Sequence, residues 1–176
     1  MATWLNAEIA IPENDLPNRR FFEEQGHGEL RLPHCQDCDM MHYPIRTFCP
    51  DCRSTNIDYK AVSGKGTIYS YFILSEPIHP AFHPHPNTPI VLVELDEQRG
   101  VGGGGDRTIQ PNEFRALRLV GNVVTPDGAF EDPDAVAVNK RVTLHMMDLG
   151  DGWGLPQWEL LDEPSEGDEW QVPGAR

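Results

Sequence analysis

The sequence has little positive charge and no long apolar run. Its 176 residues contain 14 Lys and Arg against 28 Asp and Glu, so the formal net charge is −14. This balance would repel a phosphate backbone, and the densest basic cluster is only Arg115 and Arg118, so nucleic-acid binding is disfavoured. No segment approaches the roughly 18 consecutive apolar residues of a membrane helix. We therefore predict an acidic protein surface without a membrane span.

The N-terminus lacks the features of a secretory signal peptide. The stretch "MATWLNAEIAIPEND" has neither a basic start nor a continuous apolar core. This favours a cytoplasmic location, where disulfides are rare and paired cysteines more often bind a metal or carry out redox chemistry.

Sequence signatures of a catalytic nucleophile or a metalloprotease are also absent. Neither G-x-S-x-G nor H-E-x-x-H occurs in the chain. Glu94 and Asp96 form a possible carboxylate pair, but they alternate with apolar residues and are expected on the solvated face of a strand. We therefore predict no catalytic residues in this chain.

Cysteine is scarce, and all four cysteines lie in one stretch, "CQDCDMMHYPIRTFCPDC". The two C-x-x-C pairs, Cys35 with Cys38 and Cys49 with Cys52, are typical of two tight turns that close a tetrahedral site with metal–sulfur distances of about 2.3 Å. A thioredoxin-type redox centre instead needs one such pair at the start of a helix. The pattern predicts a structural metal, and zinc is favoured over rubredoxin-type iron because no redox partner motif accompanies it.

The position after the second cysteine of such a turn is usually glycine, because it tolerates positive φ. Asp39 and Arg53 stand there in this sequence. A site closed by four cysteines leaves no coordination position for a substrate. Its expected role is folding energy, on the order of 10 kcal/mol in small zinc modules.

The remaining pattern predicts one helix and many short strands. Pro17, the apolar pair Phe21 and Phe22, and a following glycine indicate a helix within 13–28. Short strands are predicted on both sides of the cysteines and throughout the second half of the chain, at 29–32, 57–62, 66–76, 88–97, 115–124, 140–149 and 154–161. A small helical element is expected near "EDPDAVAVN". This pattern favours a compact barrel or sandwich over a parallel βαβ sheet.

Three further segments are predicted to lack a specific site. His79, His83 and His85 lie in a proline-stiffened loop without a nearby carboxylate, so an ordinary exposed loop is favoured over a metal site. The run 100–105, "GVGGGG", precedes no helical pattern, so it indicates a hairpin connection rather than a dinucleotide site. The acidic segment 162–176 is predicted to be a mobile tail.

The order of these motifs resembles the DUF35 family, over about residues 17 to 160. The resemblance rests on "RFFE…GELRL", the cysteine pairs with "YPIRTFCPDC", "VSGKGTIYSYFILSEPIHPAF", "PIVLVELDE", "LVGNVV" and "RVTLHMMDLGDGWGLPQWE". It implies a mainly β protein with an N-terminal helix, a rubredoxin-like zinc ribbon and a C-terminal OB-fold barrel. It also implies that Cys35, Cys38, Cys49 and Cys52 are the zinc ligands.

The resemblance also implies the domain organisation and a function. We expect an N-terminal helical segment at 1–28, a zinc ribbon at 29–61, an OB-fold at 62–161 and the tail at 162–176. Members of this family are small subunits of complexes around thiolases, acyltransferases or lipid-transfer-protein-like aldolases. The chain is thus expected to be a non-catalytic partner in a hetero-oligomer that makes or breaks carbon–carbon bonds in acyl-CoA substrates, and contact with the CoA thioester itself is possible.

Other functions stay open at this stage. The chain could be the partner of a MaoC-like enoyl-CoA hydratase, an OB-type module for single-stranded nucleic acid, or a rubredoxin-like electron carrier. For any docking role, the aromatic candidates for interface anchors are Phe21, Phe22, Tyr69, Tyr71, Phe82 and Trp153.

Overall fold

A computed structural model describes residues 2–11, 14–98, 116–165 and 167–172. The glycine run at 100–105, predicted to be a hairpin connection, lies outside these residues, as does the end of the predicted tail. Within the described ranges, no helix has the length and apolar character needed to cross a membrane.

The predicted helix is confirmed as α1, Leu16–Gln25. Its N-terminus is capped by Asp15, whose carboxylate accepts a hydrogen bond from the Asn18 amide at 3.4 Å. Proline in the first turn suits this start because its missing N–H has no helical acceptor there. The helix buries Phe21 and Gln25 and ends at Gly26.

A short hairpin precedes the helix and was not predicted from the sequence. It consists of β1, Thr3–Trp4, and β2, Ala7–Glu8. Trp4 packs against Phe82 and Phe130, with ring centroids 5.2 Å and 6.0 Å apart. Aromatic contacts therefore attach this hairpin to the later part of the chain.

Two antiparallel strands carry the cysteine turns. They are β3, Arg31–Cys35, and β4, Ile57–Ala61. The pairing runs from Arg31 opposite Ala61 to Cys35 opposite Ile57. Both cysteine pairs thus emerge at the same end of one ribbon.

The second half of the chain forms a five-stranded antiparallel sheet. Its strands are β5, Lys65–Leu74; β6, Thr88–Leu95; β7, Arg118–Asn122; β8, Arg141–Gly150; and β9, Trp153–Leu160. Short 3₁₀ turns occur at Pro80–Phe82 and Pro133–Ala135. The second of these is the small helical element expected from the sequence.

The strand order is β7–β6–β5–β8–β9, and a parallel bridge between Val123 and Trp158 joins its two ends. Val124 donates a backbone hydrogen bond to the Trp158 carbonyl at 2.7 Å, which strengthens this closure. A five-stranded barrel closed in this way is an OB-fold. The predicted fold class is confirmed.

The ribbon and the barrel share one apolar core. Ile68, Val93 and Trp158 from the barrel are fully buried. So are Leu32 in β3 of the ribbon and Leu30 directly before that strand. All five belong to the same cluster of contacting side chains. The ribbon is therefore packed onto the barrel rather than tethered to it.

The described part of the predicted tail, 162–165 and 167–172, contacts the barrel. Val138 donates a backbone hydrogen bond to the Trp170 carbonyl at 2.9 Å. Val172 donates one to the Tyr71 hydroxyl at 2.8 Å, and the Gln171 amide donates to the Asp134 carbonyl. One backbone pair and two bonds that involve side chains, the Tyr71 hydroxyl and the Gln171 side-chain amide, hold this segment. Polar composition does not indicate such contacts.

Candidate metal centre

Each cysteine pair forms a tight turn closed by backbone hydrogen bonds. In the first turn the Asp39 amide donates to the Cys35 carbonyl at 2.9 Å. In the second turn the Arg53 amide donates to the Cys49 carbonyl at 3.0 Å, and the Asp51 amide points at the Cys49 sulfur at 3.4 Å. The two turns are therefore built alike.

Both turns close with a non-glycine residue in the left-handed region. Asp39 has φ 62° and Arg53 has φ 65°. Aspartate adopts this conformation more readily than most residues, whereas arginine carries the steric penalty of its Cβ, of about 1–2 kcal/mol. The turn geometry that usually selects glycine is thus present without glycine.

The four sulfur atoms converge on one point. The Cys35 and Cys52 sulfurs are 3.5 Å apart, as are those of Cys38 and Cys49, and all four lie within 4.8 Å of one another. A tetrahedron with zinc–sulfur bonds of about 2.3 Å has edges of about 3.8 Å. A disulfide would need about 2.05 Å. The four cysteines are positioned for zinc binding.

The electrostatics of the cluster also fit a dication. Burial raises the pKa of the Cys35 thiol, but hydrogen bonds from the Asp37 and Cys38 amides and the neighbouring thiols outweigh it, so the pKa falls to about 7. Burial is the main cause that raises the pKa of Cys38. Adjacent thiolates repel one another, so a bound dication is what allows all four to be deprotonated together.

Asp37 connects the two turns. It lies between Cys35 and Cys38, and its carboxylate accepts hydrogen bonds from the Ser54 hydroxyl at 2.5 Å and from the Asn56 side-chain Nδ2 at 2.8 Å. These two bonds are the cause of a lowered pKa at Asp37. The carboxylate is therefore ionised at neutral pH, where it holds the second turn against the first.

Replacing Asp37 should loosen the metal without removing a ligand. We expect Asp37→Ala to speed zinc transfer to a colorimetric chelator about tenfold, since loss of such outer contacts typically lowers metal affinity 10- to 100-fold. The control is Asp162→Ala, an exposed carboxylate after β9. Equal release rates for the two variants would show that the Ser54 and Asn56 contacts do not stabilise the site.

A contact between two side chains also supports the first cysteine turn. His34 is 9% exposed, and its Nε2 lies 2.6 Å from Asp39 Oδ1. His34 was not singled out from the sequence, because a histidine next to a cysteine pair gives no signal of which carboxylate it meets. The turn residue Asp39 is therefore fixed both by its backbone and by its side chain.

Buried amide side chains fasten the ribbon at two places. Gln25 is fully buried; its amide donates to the Arg31 carbonyl at 2.8 Å and its carbonyl accepts from the Arg31 amide at 3.1 Å. The Gln98 side chain, three residues after β6, accepts a hydrogen bond from the Met41 backbone amide at 2.7 Å. These contacts hold the ribbon to α1 and to the barrel.

The prediction that Glu94 and Asp96 lie on a solvated face is wrong for Glu94, and both carboxylates are paired with arginines. Glu94 is 4% exposed and accepts a hydrogen bond from Arg118 Nε at 2.8 Å. Asp96 accepts one from Arg141 Nη1 at 2.7 Å. Strand alternation indicates which side a residue faces, but it does not show which cation a neighbouring strand brings to it.

Of the six aromatic candidates for docking, two are buried, three are partly buried and one is exposed. Phe21 and Tyr71 are buried, whereas Tyr69 is 38% exposed. Exposed apolar side chains that were not predicted include Phe72 at 54% and Val120 at 61%. The sequence carried a signal for them, because these neighbouring strands have apolar residues at both odd and even positions and therefore on both faces.

Comparison with known proteins supports the metal centre and the barrel. A family model described as "ChsH2, rubredoxin-like zinc ribbon domain" matches residues 24–58. A "DUF35 domain-containing scaffold protein" of Methanocaldococcus jannaschii is 32% identical over 73 residues, which are 39% of this chain and 49% of that protein. A chain of the solved "Ltp2-ChsH2(DUF35) aldolase" is 27% identical, with a TM-score of 0.64 over 85% of this chain and 98% of that chain. The chain is similar to DUF35 proteins in both its ribbon and its barrel.

A further relative is larger than this chain. A "Probable enoyl-CoA hydratase alpha subunit" of Thermomonospora curvata is 33% identical over 87 residues, which are 49% of this chain and 26% of that protein. The chain thus spans about half or less of the length of these two curated relatives.

Proposed function

We propose that Cys35, Cys38, Cys49 and Cys52 hold one structural zinc ion. The sulfur cluster supplies four ligands and leaves no open position at which a substrate could bind. Zinc in such a site supplies folding energy and no reaction chemistry. The division into segments at 1–28, 29–61, 62–161 and 162–176 remains a proposal, in which this zinc organises the second segment.

We further propose that the chain is a non-catalytic subunit that docks on a thiolase-superfamily enzyme and supports the making or breaking of carbon–carbon bonds in acyl-CoA substrates. The observation that carries this is the similarity over nearly the full length of a DUF35 chain in an aldolase. The candidate partners are thiolases, acyltransferases and lipid-transfer-protein-like aldolases.

The division of chemistry follows from charge and from the metal site. A chain of net charge −14 is a poor sole binder of the CoA phosphates, so the cations that bind them would come from the partner. The barrel would contribute a wall that excludes water and positions the acyl chain. The same charge disfavours the alternative of an OB-type module for single-stranded nucleic acid, which needs a basic groove.

Co-purification tests this function. The chain, tagged, is co-expressed with each thiolase-like and lipid-transfer-protein-like protein of the same organism. We expect one stable complex in which acyl-CoA turnover exceeds that of the partner alone. If the chain stays alone on size-exclusion chromatography while the thiolase-like enzymes are fully active, the proposed function is wrong.

The hydratase relative supports a second candidate function. The chain would then be the partner of a MaoC-like enoyl-CoA hydratase, and its substrate would still be an acyl-CoA thioester. Co-expression of the chain with MaoC-like proteins distinguishes the two candidate functions. The partner class is identified by which complex forms and by whether that complex accelerates hydration or carbon–carbon cleavage.

A further inference from the structure

The outer face of the β5–β6–β7 sheet carries apolar side chains where a solvated face would be polar. In the observed register Phe72 lies opposite Ile90, and Leu92 lies opposite Val120. Phe72 is 54% exposed and Val120 61% exposed, whereas Ile90 and Leu92 are partly buried. We call these four residues, together with Tyr69, the apolar face.

Strand β6 is apolar on both of its sides. Val91 and Val93 point into the barrel core and are at most 1% exposed. Ile90 and Leu92 alternate with them and therefore point outward. Continuous apolar runs are typical of strands that are covered on both faces. In the described part of the chain the core covers one side of β6, while the outer side borders side chains that stay more than half exposed.

Arg118, a charged side chain held by two contacts, borders this surface. The Arg118 guanidinium lies 3.8 Å from the centroid of the Tyr69 ring and is 2.8 Å from the buried Glu94 carboxylate. Tyrosine and arginine held in place in this way are the residue types enriched at the energetic centres of protein interfaces. At the other end of the β5–β6 hairpin, the connection carries Ile78, which is 96% exposed.

We propose that the apolar face is the docking surface for the catalytic partner, and that the partner meets it with an apolar surface rimmed by basic side chains. This inference rests on the proposed function. Charge favours such a partner over a second copy of the chain, because two chains of −14 repel each other. A basic rim on the partner would instead be attracted and would speed association.

The test places one negative charge on a highly exposed side chain of the face, either on β5 or on β7, the strands that flank β6. Phe72→Glu and Val120→Glu are each titrated by biolayer interferometry against the catalytic subunit that co-purifies with the wild-type chain. We expect each to weaken binding at least about 30-fold, the effect of disrupting an energetically important interface residue. Leu16→Glu is the matched control: Leu16 is 70% exposed on α1, and the same charge there should change the affinity less than threefold.

The outcomes separate this inference from the proposed function. Zinc content and melting temperature should match the wild type in all three variants, since the replaced side chains are exposed. If the wild type binds a catalytic subunit and both face variants bind it equally well, the apolar face is not the docking surface, although the proposed function stands. If the wild type binds none of the co-expressed enzymes, both are wrong. A wild-type dimer that Val120→Glu converts to a monomer would make a second copy the occupant and overturn the proposal.

Discussion

Cys35→Ser should abolish zinc binding and unfold the metal end of the ribbon. The Cys35 sulfur is fully buried, and its apolar cluster contains only Met40 and Cys49 besides partly buried neighbours. So small a cluster cannot hold two turns without the ion, and loss of a structural metal is among the few changes that exceed about 4 kcal/mol. Zinc per chain should fall from one to less than about a tenth by mass spectrometry of the metal.

Limited proteolysis should locate the damage. New cleavage is expected within 36–56, while the barrel stays protected because its core forms a separate and much larger cluster. Met40→Leu is the matched control, since it changes a buried neighbour of the same cysteines at nearly constant volume, for less than about 1.5 kcal/mol. One zinc and unchanged proteolysis in Cys35→Ser, or a disulfide in the wild-type protein, would contradict the metal assignment.

The parts of the fold that were predictable are those with a local cause. Cysteine spacing indicated the two turns, and the structure brings all four sulfurs together. Alternation of Val91, Val93 and Leu95 indicated the buried side of β6, and all three are at most 1% exposed. The helix was marked by Pro17 and a following glycine, and it lies within the predicted bounds.

The parts that were not predictable depend on distant partners. Glu94 looked like a surface carboxylate until β7 placed Arg118 next to it. The acidic tail gave no sign that Trp170 would pair with Val138. Ile90 and Leu92 alternate with Val91 and Val93 in the sequence, but the pattern alone did not single out the outer side of β6. Only the register with β5 and β7 showed that Phe72 and Val120 lie beside them.

The junction between α1 and the barrel depends on two glycines, Gly26 and Gly154, whose close contacts no local pattern indicated. A Cβ added at Gly26 would lie 1.8 Å from the Gly152 carbonyl oxygen, and one added at Gly154 would lie 2.4 Å from the Gln25 carbonyl oxygen. Both obstacles are backbone atoms, which cannot rotate away. The helix end and the β8–β9 hairpin can approach this closely only because side chains are missing on both.

Gly26→Ala should therefore destabilise the protein, although alanine favours helices. Gly26 has φ −61°, so alanine fits the backbone and would gain up to about 1 kcal/mol of helix propensity. The clash outweighs that gain, because forced overpacking costs typically 1–3 kcal/mol and more where backbone must move. We expect a net loss of about 2 kcal/mol in urea unfolding of the zinc-loaded protein.

Gly167→Ala and the double variant decide whether the close approach is the cause. A Cβ at Gly167 would meet only the end of the Asn139 side chain at 3.2 Å, so that variant should stay within about 0.5 kcal/mol of the wild type. Gly26→Ala and Gly154→Ala open the same junction, so their combined effect should be smaller than the sum of the two. The proposed cause would be wrong if the two losses of unfolding free energy simply added, or if Gly26→Ala were as stable as the wild type. The close contact would then not be what holds the helix and the ribbon on the barrel.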